Sequence, residues 1–198
     1  MSVHVSAPAG FPAGFRRAVT ELSGVEVRPE VVLSELPPPQ RLAPYAVALH
    51  AVVNVAGDEL AEGRLVVLHD PDGQAVWEGD TRCVAYVQAG IDFEIASDPM
   101  LPSVGWSWLL EALSGAGADF RAAGGTVTRT TSERFGALSD HPHAADVEIR
   151  ASWSPVGSLS AHLVAFGELL CSTAGLPPTP PGVVPIPSRR RRQSTAQL

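Results

Sequence analysis

Two stretches of alternating apolar and polar residues constrain the fold of this chain more than any other feature. In residues 45–55 one side of the alternation is apolar throughout and the other side is mixed, which predicts a strand with both faces partly covered. Residues 82–95 alternate over a longer distance and give the clearest strand pattern in the chain. The inward set is Cys83, Ala85, Val87, Ala89, Ile91, Phe93 and Ile95, and the outward set is Arg82, Tyr86, Gln88, Asp92 and Glu94. A sheet is therefore the centre of the predicted fold.

Shorter runs of the same period predict further strands at residues 25–33, 64–69, 126–132 and 146–153. Residues 70–73 read Asp-Pro-Asp-Gly, a combination typical of tight turns. They predict a hairpin that returns through Val76 and Trp77. Gly124 and Gly125 likewise predict a turn just before the strand at 126–132.

Three segments with apolar residues at helical spacing predict amphipathic helices. The first covers residues 11–22 and ends at Gly24, the second follows a candidate N-cap at Ser103, and the third runs over residues 159–170 and stops by Gly175. Because the links between strands are of hairpin type, the order of elements favours an antiparallel sheet. We predict an α+β fold in two layers, a mainly antiparallel sheet of about six or seven strands covered by three helices.

Composition divides the chain into three parts. Residues 1–10 are expected to form a flexible N-terminus, and residues 11–176 a single α+β domain. Residues 177–198 are rich in proline, lack periodic apolar residues and carry a run of four arginines near their end, so we predict a disordered tail there.

Charge limits the classes of partner. All 14 basic residues are arginines, and the absence of lysine excludes a Walker A phosphate loop and a Schiff-base lysine. The tail holds four of them, Arg189, Arg190, Arg191 and Arg192, which leaves ten arginines against 21 acidic residues and a formal charge of −11 for the rest. Such a body repels phosphate backbones, so nucleic acid is expected to bind only through the tail.

Cysteine usage and hydropathy indicate a compartment. Cys83 and Cys171 show no Cys-x-x-Cys spacing, and the first ten residues lack the pattern of a secretory signal. The longest apolar stretch, residues 45–56, is interrupted by His50 and Asn54 and falls short of the ~20 residues that span a bilayer. We expect reduced thiols, a cytoplasmic location and no membrane contact.

Several long blocks together carry a family resemblance. They are PQRLAPYA at 39–46, GRLVVLHDPDGQ at 63–74, DPMLPSVGWSWLLEAL at 98–113, AAGGTVTRTTSERFG at 122–136, ADVEIRASWSP at 145–155 and LCSTAGLPP at 170–178. In this order they resemble the actinobacterial domain-of-unknown-function family 3000. The resemblance spans nearly all of the predicted domain and excludes the arginine-tipped end. It implies no activity and no site residues, since the family has neither established.

Three local patterns are weighed as sites and set aside. Ser107 lies within one residue of the G-x-S-x-G nucleophile elbow, but Leu109 stands where the second glycine belongs, so helical packing explains it better. His141 and His143 offer too few ligands for zinc. The aspartates after His69 lack the spacing of a calcium loop. We predict no catalytic residue, no metal and no cofactor.

A candidate binding surface remains. The outward side of the predicted sheet presents charged and hydroxyl side chains that can pair with one another or floor a groove. Trp106 and Trp108 are two residues apart and diverge by about 200° around a helix, so one of them is expected at an edge or exposed as an anchor for a partner. The predicted surface consists of Arg82, Tyr86, Gln88, Trp108, Thr128 and Arg150.

The leading hypothesis is a noncatalytic binding or interaction domain, because the core pattern is complete and no catalytic constellation is. An enzyme, a hydrolase or transferase with a site assembled from dispersed Asp, Glu, His and Arg residues, is the alternative. A third hypothesis is a regulator that contacts nucleic acid or an acidic partner through Arg189 to Arg192. The sequence does not identify the partner.

Overall fold

The fold is taken from a computed structural model that describes residues 3–141 and 143–178. Its helices are α1 (Ala13–Leu22), α2 (Phe93–Ser97), α3 (Leu101–Gly115) and α4 (Leu159–Thr173). Its strands are β1 (Val31–Leu36), β2 (Tyr45–Val55), β3 (Asp58–Gln74), β4 (Gly79–Gly90), β5 (Phe120–Ser132) and β6 (Ala144–Pro155). None of the described helices is long and apolar enough to cross a membrane.

The strands form one six-stranded sheet in the order β1-β2-β3-β4-β6-β5, and every neighbouring pair is antiparallel. The first four strands follow one another as a meander. β6 then inserts beside β4, and β5 occupies the edge although it precedes β6 in the chain. The α+β class, the antiparallel sheet and the cover of three substantial helices are confirmed; α2 is a short fourth helix that the sequence pattern does not reveal.

All four helices lie on one face of the sheet, and the core fills the space between them. α4 is central: its His162, Leu163, Phe166 and Leu170 are among the largest fully buried side chains. Because Gly63 of β3 has no side chain, α4 can approach closely; a Cβ there would lie 2.9 Å from Leu170 Cδ2 and 3.2 Å from Phe166 Cζ.

The N-terminal segment joins this core before α1 begins. Val3 and Val5 are buried, and Ser23 Oγ accepts a hydrogen bond of 2.9 Å from the Val5 amide. α1 follows with the predicted apolar face, which includes buried Phe15 and Leu22. Helix and preceding segment thus cover the same side of the sheet.

The predicted strand at 82–95 is too long. β4 ends at Gly90, and Asp92 takes extended backbone angles as the N-cap residue of α2, where its carbonyl accepts from the Ala96 amide at 3.0 Å. Ile95 is therefore half exposed on a helix instead of buried in a strand. Asp92 and Glu94 leave the sheet face to which the alternation assigned them.

The predicted turn at 70–73 is a bulge within a longer hairpin. Pairing breaks between His69 and Gln74, and the chain reverses only at residues 75–78. The turn chemistry is still used locally, because Asp70 Oδ1 accepts from the Asp72 amide at 3.2 Å and Gly73 has φ of +71°. β3 and β4 extend beyond the predicted turn, because Gln74 pairs with Gly79 after the bulge.

The predicted beginnings of three elements, the first strand, α3 and β5, are also wrong. The first strand begins at Val31, since only there does pairing with β2 start. Met100 is the N-cap of α3, and Ser103 lies inside the helix. Gly124 and Gly125 lie within β5, at a register shift opposite β6 rather than in a turn, because backbone pairing with β6 continues past them.

Candidate functional site

The sheet has a second face that faces away from the helices. Side chains alternate between the two faces along each strand, and those of the second face, such as Val66 and Val84, lie outside the helix-facing core. We call it the open sheet face. Four residues, one from each strand from β1 to β4, pair side by side across it: Leu36 with Ala48, Ala48 with Val66, and Val66 with Val84.

These four residues form an apolar row that runs perpendicular to the strands. On β6 and β5 the same line continues as Ser152 and Gly124, where the loss of side-chain bulk leaves a shallow depression of about 400 Å³. Val84, Tyr86 and Arg150 border that depression. The open sheet face therefore offers an apolar floor that ends in a recess.

The neighbouring row is basic and aromatic. His50 pairs with Arg64, Arg64 with Tyr86, and Tyr86 with Arg150. The Arg150 guanidinium carbon lies 5.6 Å from the centroid of the Tyr86 ring, within the distance of a cation–π contact. Arg150 is exposed and is the outermost cation of this row.

A carboxylate row comes next, with Glu62, Gln88 and Glu148 in register. Tyr86 Oη lies 2.7 Å from Gln88 Oε1 and 2.9 Å from Glu148 Oε2, so two acceptors share its proton. Burial, and then the hydrogen bond to Glu148, raise the pKa of Tyr86. Glu148 also holds Arg150 through a contact of 3.0 Å between Oε1 and Nε. The phenol is thus fixed in its neutral form.

Arg82 is fixed by the sheet itself. Its Nη1 donates to Ala122 O at 2.9 Å, and its Nη2 donates to Ser152 Oγ at 2.8 Å. Burial lowers the pKa of this arginine. The hydroxyl of Ser154 also accepts from Arg82 and in turn donates to the Trp77 carbonyl. Arg82 therefore ties the 75–77 turn and the β5 bulge to the sheet.

The structure brings together five of the six predicted surface residues. Gln88 and Thr128 both lie beside Glu148, on its two sides, and Arg82, Tyr86 and Arg150 complete the group on the open sheet face. Trp108 is separate, because α3 lies on the other side of the sheet. The predicted surface is thus two surfaces.

Trp108 lines a groove between α3 and α4. The groove has a volume of about 430 Å³, and its wall includes Ala112, Val164 and the carboxylates Glu111 and Glu168. Trp108 is partly buried against the core, so its setting is neither a strand edge nor a fully exposed anchor. Trp106, two residues earlier, packs against the sheet at Gly125, where a Cβ would come within 2.9 Å of its ring.

Sequence reasoning missed the apolar row. Its signal lay in residues 65–68, where four consecutive apolar residues mean that β3 carries apolar side chains on both faces. Val66 and Leu68 belong to the open sheet face by this count, and Leu68 is buried there. Because residues 65–68 were interpreted only as the buried centre of a strand, the apolar row on the open sheet face was not predicted.

The patterns set aside earlier have structural explanations. Ser107 lies inside α3, and its hydroxyl donates to Val104 O at 2.8 Å. His69 stacks on Phe15 at 4.6 Å between ring centroids, and its Nδ1 lies 3.0 Å from Thr81 Oγ1. His143 packs near Phe93. Within residues 3–141 and 143–178, no three His, Cys, Asp or Glu side chains are grouped so that they could hold a metal ion.

The remaining titratable groups of interest are buried. Cys83 and Cys171 are free and buried, and burial raises the pKa of each thiol to about 12. His162 Nδ1 accepts from Trp153 Nε1 at 3.0 Å, which leaves the proton on Nε2. That Nε2 is buried without a hydrogen-bond partner among the described residues. Burial lowers the pKa of His162 more than the Val156 backbone and the Asp119 charge raise it.

Arg189, Arg190, Arg191 and Arg192 lie outside the described residues, as does most of the predicted tail. The chain matches no curated protein and no solved structure. A family model does match it, over residues 11–184, which is most of the chain. The chain belongs to the family described as Protein of unknown function (DUF3000).

Proposed function

We propose that this protein is a noncatalytic binding domain that docks another protein on its open sheet face. The observation that carries the proposal is the apolar row of Leu36, Ala48, Val66 and Val84, which crosses four strands on the face away from the helices. An ordinary solvated sheet face is polar along its length. A continuous apolar row directly beside a row of charged and aromatic side chains suits contact with an amphipathic partner.

The dimensions of the face support a protein partner. Six strands spaced by ~4.8 Å give a width of about 24 Å, and strand stretches of roughly eight residues give a height of about 27 Å. The product is on the order of 650 Å², somewhat below the roughly 800 Å² that each partner contributes to a standard interface. The whole face, and not the recess alone, is the docking surface.

Charge selects the chemistry of the partner. The face carries His50, Arg64 and Arg150 in one row and Glu62 and Glu148 in the next, so its charges nearly balance and it lacks the basic footprint that nucleic acid requires. The basic row borders the apolar row directly. The matching partner is an amphipathic helix with an apolar stripe and carboxylates beside it.

Binding is favoured over catalysis by the state of the polar groups. The pKa of Tyr86 is raised and its proton is shared by two acceptors, which makes the phenol a poor general base. Arg82 is engaged with the backbone and hydroxyls of the sheet. A cytoplasmic location is part of the proposal, since the two cysteines are free and buried.

The test uses the full chain at native expression levels with a photocrosslinking residue in place of Val84. We expect it to capture a protein, and a Val66→Glu substitution in the same chain to abolish the capture, because a carboxylate interrupts the apolar row beside the neighbouring strand. The matched control places the crosslinker at Val104, which is 40% exposed on α3, and Val104→Glu serves as the control charge.

Equal capture from position 104, or capture that survives Val66→Glu in a chain with unchanged melting temperature, would contradict the proposal. Crosslinks from position 84 to a second copy of this chain would identify a homodimer instead and would also overturn it. An interaction lost only when Arg189 to Arg192 are replaced would assign binding to the basic tail.

A further inference from the structure

A cleft at one end of the sheet, on the side of the helices, brings three polar side chains together in an apolar setting. It has a volume of about 470 Å³, within the ~300–1,000 Å³ typical of small-molecule sites. Phe15 of α1 and Leu159 of α4 form part of its apolar wall. The polar side chains that line it are those of His69, Asp80 and Thr81.

The bulge in β3 shapes this cleft. His69 is the last residue of β3 that pairs with β4 before the bulge, and its partner is Thr81. Pro71, inside the bulge, forms part of the cleft wall. Bulges are common beside functional sites, where they redirect side chains. Strand pairing therefore fixes His69 and Thr81 side by side, and the bulged segment forms a wall next to them.

A chain of hydrogen bonds fixes the position of the proton on His69. Thr81 Oγ1 donates to Asp80 Oδ1 at 2.9 Å. Because a hydroxyl has a single proton, the same Oγ1 acts as the acceptor in its contact of 3.0 Å with His69 Nδ1. The neutral ring therefore carries its proton on Nδ1 and presents a lone pair at Nε2.

Nε2 of His69 is an unpaired acceptor in a nearly buried ring. His69 is 8% exposed, and its ring stacks on Phe15 with 9° between the ring planes. The described residues offer this Nε2 no hydrogen-bond partner. Among them, the fully buried side-chain nitrogen and oxygen atoms without a partner are limited to His162 Nε2. Nε2 of His69 is therefore reached by solvent, through the cleft that this residue lines.

The open polar positions of the cleft favour a cationic donor. The Asp80 side chain is 62% exposed, and its Oδ2 has no partner among the described residues. The described lining residues include no arginine, and the chain contains no lysine, so no basic side chain in the wall balances this carboxylate. A ligand that suits both acceptors donates N–H groups, carries positive charge and has an apolar body.

We propose that this cleft binds a small organic amine. Its ammonium group donates to His69 Nε2 close to the Asp80 carboxylate, and its apolar part packs against Phe15 and Leu159. The proposal does not depend on the docking function of the open sheet face, because the cleft lies on the helix side of the sheet.

The test follows the six imidazole rings of the full ¹⁵N-labelled chain at pH 8 by long-range ¹H–¹⁵N correlation, with His69 identified by His69→Gln. Without ligand, Nδ1 should be the nitrogen that carries the proton. The probes are benzylamine, benzyl alcohol and benzoate, which share a ring and differ in charge. We expect benzylamine to shift the Nε2 signal of His69 to saturation. The other two should bind at least about tenfold more weakly, since they lack the charge-assisted hydrogen bond.

Two substitutions separate the charge of Asp80 from a general effect of charge. Asp80→Asn keeps an oxygen that can accept from Thr81 and removes the negative charge. It should weaken benzylamine binding about tenfold and leave benzyl alcohol binding unchanged. Asp72→Asn is the matched control, because Asp72 is exposed in the same bulge and does not line the cleft. It should bind benzylamine as the parent chain does.

A proton on Nε2 in the ligand-free chain would overturn the proposal. Preferential binding of benzoate, or an equal response to the three probes, would show that the cleft does not select a cation. Equal weakening by Asp80→Asn and Asp72→Asn, or a His69 shift that never saturates, would likewise reject an amine site. Tighter binding of Nα-acetyl-lysine amide than of benzylamine would assign the ammonium group to a protein side chain and end the small-molecule proposal.

Discussion

Replacing Gly63 by alanine tests the packing on which the whole fold depends. A Cβ at this position would lie 2.7 Å from the Tyr86 carbonyl oxygen, 2.9 Å from Leu170 Cδ2 and 3.2 Å from Phe166 Cζ. The first contact is the most severe, because the carbonyl belongs to the neighbouring strand and cannot rotate away as a side chain can. Opening it to the 3.4 Å of an ordinary contact requires β3 and β4 to separate by several tenths of an ångström.

Overpacking of this kind costs about 1–3 kcal/mol, and the lower entropy of unfolded alanine returns about 0.4–1 kcal/mol. We therefore expect Gly63→Ala to lower the free energy of unfolding by roughly 1–2 kcal/mol. With a urea m-value of about 2 kcal/mol/M, the unfolding midpoint should fall by roughly 0.5–1 M. Circular dichroism during urea titration measures this directly.

Gly90→Ala is the matched control. It lies at the end of β4, and a Cβ there would meet no atom within 4 Å, so its midpoint should stay equal to or slightly above that of the parent chain. In a Leu170→Ala background the Gly63→Ala penalty should shrink without vanishing, because the Tyr86 carbonyl contact remains. Equal midpoints for Gly63→Ala and Gly90→Ala would refute the close approach of α4 to β3.

Three further predictions concern buried groups and a helix cap. Burial lowers the pKa of His162 below its ordinary value of 6.5, so as pH falls this histidine is protonated first in the unfolded chain, and the free energy of unfolding decreases as pH drops through 6.5. In His162→Gln the urea midpoint should therefore depend less steeply on pH between 7.5 and 5. An unchanged slope would reject this. Cys83 and Cys171 should resist Ellman's reagent in the native chain at pH 8 and react on unfolding, since each thiol has a pKa of about 12; rapid native labelling would contradict their burial. Ser158 caps α4 by accepting from the Ser160 amide at 3.2 Å, so thermal melting should show Ser158→Ala less stable by about 1 kcal/mol and Ser158→Asp close to the parent.

The sequence predicted the sheet best where one face of a strand is apolar from end to end. β2 has its predicted bounds, because every second residue from Tyr45 to Val55 is apolar. β3 was read as residues 64–69 and spans Asp58–Gln74. The residues at both ends of β3 are mostly polar, and Asp70 to Gly73 form a bulge. The turn residues of the bulge therefore hid the fact that pairing with β4 resumes at Gln74.

The candidate site was predictable only in part. Tyr86, Gln88 and Arg150 follow from alternation along single strands, and antiparallel register then brings them together. Trp108 could not be separated from them, because nothing in a sequence says that α3 lies on the opposite face. The apolar row depends on lateral pairing of four strands, a relation that no single segment contains.

The position of β6 between β4 and β5 has a consequence for synthesis of the chain. β5 leaves the ribosome before β6, yet β6 is its only strand partner among the described residues. The meander from β1 to β4 can close as it emerges, since each of its strands pairs with the one before it. The backbone N–H and C=O groups on both edges of residues 120–132 instead stay unpaired until roughly two dozen more residues have been synthesised. We expect a chaperone to bind the nascent chain most readily during this interval.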